Sequence, residues 1–119
     1  MVGTVHLTGG REIQMQANAA TPVRYRQVFK KNILTYLTGA ATDEESTAML
    51  SELAYIMTRS YEKADMNKLG MDDYIAWLEG FEALDFATES VATEIMAIYQ
   101  NQKLPESKSK KKTGQQIER

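Results

Sequence analysis

Apolar residues along this chain change their spacing twice, and each change marks a change of element. Near the start they alternate with polar ones, in Thr4-Val5-His6-Leu7-Thr8 and again in Arg11-Glu12-Ile13-Gln14-Met15-Gln16, where Ile13 and Met15 share a face. Gly9-Gly10 between the runs supply the positive-φ residues of a tight turn, so residues about 4–16 read as a β-hairpin. A lone hairpin is marginal in water and is expected to lie on the helices that follow.

From Thr21-Pro22 the spacing becomes three and four. A hydroxyl residue followed by proline predicts a helix start, and Tyr25, Val28, Phe29, Ile33, Tyr36 and Leu37 then form one stripe that Gly39 ends as a left-handed cap. Thr42 and Glu45 have capping-box spacing before a second helix to about Tyr61, with Met49, Leu50, Leu53, Met57 and Tyr61 on its buried side. After the polar stretch from Glu62 to Met71, broken at Gly70, Asp72 or Asp73 opens a third helix. Tyr74, Trp77, Leu78, Phe81 and Leu84 share its face, and Gly80 marks a break or a close contact. A last helix, about Thr88–Gln100, turns Val91, Ile95, Ile98 and Tyr99 inward. Beyond Gln102 the periodicity stops. The expected fold is mainly α: a short N-terminal β-hairpin packed on a bundle of about four helices, forming a single domain over 1–102, with a disordered basic tail over 103–119.

Composition agrees with one core: 119 residues, 43% hydrophobic. No apolar run is long enough to span a bilayer, and no secretory signal opens the chain, so the expected place is the cytoplasm. The net charge of −2 conceals an asymmetry. Residues 1–102 hold 8 Lys/Arg against 14 Asp/Glu, a balance of −6, and residues 103–119 hold 6 against 2, a balance of +4.

Candidate chemistry is sparse. Without cysteine and with His6 as the single histidine, ordinary zinc sites and a cysteine nucleophile are excluded. His6 itself reads as a surface residue of the hairpin. No serine sits in a Gly-x-Ser-x-Gly elbow, and Gly9-Gly10 is followed by neither Gly-Lys-Thr nor a helix. Asp65-Met66-Asn67-Lys68-Leu69-Gly70 starts like a calcium loop, but Leu69 and Ala76 stand where oxygen ligands belong. Asp43-Glu44-Glu45 and Asp72-Asp73 lie at helix N-termini, where the macrodipole accounts for them. No enzyme is expected, and no cofactor.

Tyr74, Trp77 and Phe81 read first as core and second as a protein interface, because aromatics and methionines enrich interface centres. Seven methionines favour an adaptable binding surface. Tyr55, Met57, Tyr74, Trp77 and Phe81 are the candidates for partner contact by residue type and expected exposure. The tail Lys108-Ser109-Lys110-Lys111-Lys112 suits weak phosphate contact, which gives an alternative function as a small nucleic-acid-associated regulator; it has no interleaved aromatics, and the acidic body repels the same polyanion. No lipidation motif or amphipathic partner makes it a membrane tether.

In the order of its pieces the chain resembles the tail assembly chaperones of long-tailed bacteriophages of Gram-positive hosts. A hairpin leads into Arg24-Tyr25-Arg26-Gln27-Val28-Phe29-Lys30-Lys31-Asn32-Ile33-Leu34; a helix centred on Leu53-Ala54-Tyr55-Ile56-Met57 follows; then come Asp73-Tyr74-Ile75-Ala76-Trp77-Leu78-Glu79-Gly80-Phe81 and a last helix before a lysine-rich end. The resemblance implies a non-catalytic helper that coats the tape-measure protein and keeps it soluble while tail tube protein polymerises around it. It implies self-association, residence in the host bacterial cytoplasm and absence from the mature virion. It also implies a longer isoform made by −1 frameshifting, with the codons of Lys110, Lys111 and Lys112 as the slip point and Thr113 to Arg119 as the in-frame remainder.

Overall fold

In a computed structural model, residues 1–100 are described. Two strands, β1 (Val2–His6) and β2 (Glu12–Gln16), precede five helices: α1 (Thr21–Phe29), α2 (Leu34–Leu37), α3 (Asp43–Tyr61), α4 (Met71–Leu78) and α5 (Glu89–Tyr99). The expected mainly α fold with an N-terminal hairpin is what forms. The tail at 103–119, with Lys110, Lys111 and Lys112, lies outside the described residues.

The strands pair antiparallel with Val5 opposite Ile13 and Gly3 opposite Met15. Gly9 and Gly10 take φ of 80° and 85°, the left-handed conformation that only glycine adopts at no steric cost. Val5 and Met15 are fully buried against the helices, so the hairpin gains from packing the stability it lacks alone. At Gly3 an added Cβ would stand 2.7 Å from Ile98 Cγ1. The missing side chain is what lets α5 close onto the backbone of β1.

His6 joins the same two elements. Its backbone N–H donates to Glu94 Oε1 at 2.7 Å, and its Nδ1 lies 2.9 Å from Glu94 Oε2 on α5. The hydrogen bond to Glu94 raises the imidazole pKa above its ordinary 6.5. A raised folded-state value means that the ion pair's contribution is complete below the ordinary pKa and is lost as pH rises through the folded one. The His6 ring resonances are therefore expected to titrate with a midpoint above 6.5, and Glu94→Gln should return the midpoint toward that value. A midpoint at or below the ordinary value in the intact chain would refute the linkage.

The first helical stripe is interrupted. Where one helix is expected from Thr21 to Gly39, Lys30 turns left-handed (φ 60°, ψ 32°) and ends α1. Asn32 then restarts the chain by accepting from the Leu34 N–H at 2.9 Å. The break carries Ile33 into the core and sends Lys31 onto Glu52. The helix does start at Thr21, but Thr21 is its first residue and not its cap: Ala20 stands at the cap position. The turn before it is closed by Asn18 accepting from the Ala20 N–H and the Thr21 hydroxyl accepting from the Asn18 N–H, both at 2.9 Å. Gly39 does end α2 with φ of 77°.

Helix α3 is the axis of the molecule. Its capping box forms as its spacing predicts, Thr42 Oγ1 accepting from the Glu45 N–H at 3.1 Å and Glu45 Oε1 from the Thr42 N–H at 2.8 Å. From Met49 to Thr58 every residue is buried, because the hairpin, α1, α4 and α5 all pack on it. Tyr61, expected on the buried stripe, is 41% exposed past the end of this sheath. Glu52 is the buried carboxylate of α3; it accepts from the Tyr25 hydroxyl at 2.9 Å and from Lys31 Nζ at 3.0 Å.

Candidate docking groove

The capping box sets the phase of α3 so that Glu44, Thr47, Ala48 and Ser51 fall in one line along the helix. Facing them are Tyr74 and Leu78, one turn apart on α4, and then Phe81, Glu82, Ala83 and Phe86. Between the two walls lies a groove of about 500 Å³, the size of a site for a small ligand or a few side chains. A second hollow of about 280 Å³ adjoins it, sharing Thr47 and Phe86 and extending to Tyr36, Asp43, Glu89 and Ala92.

The groove wall after α4 is largely irregular backbone, and polar contacts from the hairpin and from Asp85 hold it in place. Asp85 is 3% exposed; one of its oxygens accepts from the Glu82 N–H at 2.9 Å and the other from the Thr8 hydroxyl at 2.8 Å. Arg11 of the hairpin donates to the Gly80 carbonyl and lays its guanidinium 4.5 Å from the Phe81 ring centroid. Gly80 is thus a point of close contact outside the helix, which ends at Leu78. Leu84, expected on the same helical face, is instead 72% exposed, because the chain has left the helix before reaching it.

Behind the groove an unbroken series of rings runs through the molecule: Tyr25, Phe29, Tyr55, Tyr74, Trp77, Phe81 and Phe86. Trp77 backs the wall, with ring centroids 4.5 Å from Phe81 and 5.9 Å from Phe86. The Tyr55 hydroxyl donates to Asp73 Oδ2 at 2.5 Å, and Arg59 Nε reaches the same oxygen at 3.1 Å. Burial first, then Asp73, pushes the Tyr55 hydroxyl up to about 12. In return the Tyr55 hydroxyl and then Arg59 hold the Asp73 carboxyl below its ordinary range.

The residues that the sequence offers for partner contact therefore divide. Tyr55 and Met57 are both 0% exposed and belong to the core, so neither offers a surface. Tyr74 and Phe81 line the groove, and Trp77 supports it. The rest of the lining, from Glu44, Thr47, Ala48 and Ser51 on α3 to Leu78, Glu82, Ala83 and Phe86 opposite, is not among those candidates. Thr8, Arg11 and Asp85, which fix the wall, carry no sequence signal, because their contacts join segments far apart in the chain.

Among the described residues no three His, Cys, Asp or Glu side chains are grouped to hold a metal ion, and no helix is long and apolar enough to cross a membrane. Comparisons with protein-family models, with curated proteins and with solved structures find no match.

Proposed function

We propose that this chain is a non-catalytic tail assembly chaperone that binds the tape-measure protein and keeps it soluble while tail tube protein assembles around it. The observation that carries this reading is the groove between α3 and residues 74–86, whose apolar lining suits a client helix laid lengthwise. Leu84 beside it, at 72% exposure, extends the apolar surface past the rim. Met71 and Ile75, four residues apart on α4, are 50% and 47% exposed and offer a second apolar contact, suited to self-association. Copies arrayed along one long client would multiply weak contacts by avidity. A longer frameshifted isoform would carry the same domain at its head. The carboxylates around the groove give a nucleic-acid reading no support there.

The test is co-expression with a tape-measure fragment from the same genome, followed by sedimentation. The fragment is expected to pellet alone and to remain soluble with the chain. Ala48→Gln, which places bulk at the groove mouth from an exposed helical position, should return it to the pellet. Equal pelleting with and without the unaltered chain would overturn the reading.

A further inference from the structure

The floor and the rim of the groove ask different things of an occupant. At the floor Ser51 Oγ donates to the Ala48 carbonyl at 2.8 Å and lies 2.6 Å from the Tyr74 hydroxyl, which is left to donate to it. Both hydroxyl protons are used, and the surrounding wall is Leu78, Phe81 and Phe86. A floor with its donors already satisfied favours apolar side chains, since a polar one would lose its water without replacement.

The rim is acidic. Glu44 and Glu82 edge the larger hollow, and Asp43 and Glu89 the smaller. Among the described residues no lysine or arginine lines either hollow, and none of these four carboxylates is in a salt bridge. Helix dipoles account for Asp43, Glu44 and Glu89, which stand in the first turns of α3 and α5. Glu82 lies outside any helix, so no dipole places it there.

Building on the chaperone reading above, we infer that the joined hollows take a cationic amphipathic helix of the client. Apolar side chains one or two turns apart seat in the two hollows, and lysines or arginines flanking them meet the rim. Apolar burial supplies most of the affinity, and the carboxylates select the client and set its direction.

Trp77 is the only tryptophan and touches both groove phenylalanines, so its emission reports occupancy. The full chain is titrated with a synthetic helical peptide bearing leucines at i, i+4 and i+7 flanked by lysines, and with its counterpart bearing glutamates. The lysine peptide is expected to bind about tenfold tighter at low salt, a preference that salt erodes. The double variant Glu44→Lys, Glu82→Lys, at two exposed positions, should reverse the preference while circular dichroism stays unchanged. Equal affinity for both peptides, or no reversal, overturns the inference.

The chain's own basic end is the rival occupant. Lys110→Gln, Lys111→Gln and Lys112→Gln together should change neither the emission without peptide nor the affinity for it. A changed emission or tighter binding would assign the groove to that segment and overturn the inference. Emission that varies with protein concentration alone would assign it to a second copy, which overturns the inference equally. The chaperone reading fails separately, in the sedimentation assay. Protection of the client without any charge preference sinks only the present inference.

Discussion

Tyr55→Ala is expected to lower the free energy of unfolding by about 3–5 kcal/mol, the range for truncating a fully buried aromatic residue. Tyr55 is 0% exposed, and its ring touches Phe29, Tyr74 and Trp77 at centroid distances of 6.1, 5.4 and 5.6 Å. Removing it opens a void in the middle of the ring series, where α3 is enclosed on every side and can relax little. Tyr55→Phe separates packing from polarity. It keeps the ring and loses the hydrogen bond to Asp73, whose other partner Arg59 remains, so it should cost only about 1–2 kcal/mol. Denaturant titrations followed by far-ultraviolet circular dichroism measure both. Should alanine cost no more than phenylalanine, the ring series is not what holds α3 to α4. The loss is a large share of a typical domain's roughly 5–15 kcal/mol, so the groove, which shares Tyr74, Phe81 and Phe86 with the series, should weaken with it.

Lys31→Met is expected to cost about 2–3 kcal/mol, well above an ordinary surface substitution. The Glu52 side chain is 7% exposed and that of Lys31 45%. Removing the lysine strands a buried carboxylate with one hydroxyl partner, Tyr25. Breaking a fully buried pair costs about 3–5 kcal/mol, and the half-exposed lysine places this pair below that range. The diagnostic is the double variant Lys31→Met, Glu52→Gln. It removes the stranded charge and keeps an acceptor for Tyr25, so it should be more stable than Lys31→Met alone by about 1 kcal/mol or more. If Lys31→Met falls within about 0.5 kcal/mol of the parent chain, Lys31 is only a solvated surface charge.

What the sequence discloses here is what neighbours in the chain decide. The glycine turn, the Thr42–Glu45 capping box, the Gly39 cap and the Val91, Ile95, Ile98 stripe are local arrangements, and each forms where spacing places it. The break at Lys30 is also local in geometry but not in cause. No glycine announces it; it is held by what it delivers, Ile33 to the core and Lys31 to Glu52. Periodicity finds one face of α3 and misses Ser51, Glu52 and Thr58, which are buried because other elements cover the remaining faces. The same limit hides half of the groove. Aromatic Tyr74 and Phe81 attract notice in a sequence, whereas Glu44, Ala48 and Glu82 look like any helix surface or loop until α4 and the 80–86 segment are set against them.

The contact between Gly3 and Ile98 also fixes an order of events during synthesis. At about 5–20 residues per second, a ribosome delivers α5 roughly 5–20 s after the hairpin. For that interval the nascent hairpin has no partner for the backbone that Gly3 leaves bare, and a two-stranded ribbon does not hold its shape alone. The domain can therefore be completed only after α5 emerges. A product cut short before α5 would keep an unfinished edge, open to proteases and to stray pairing with other strands.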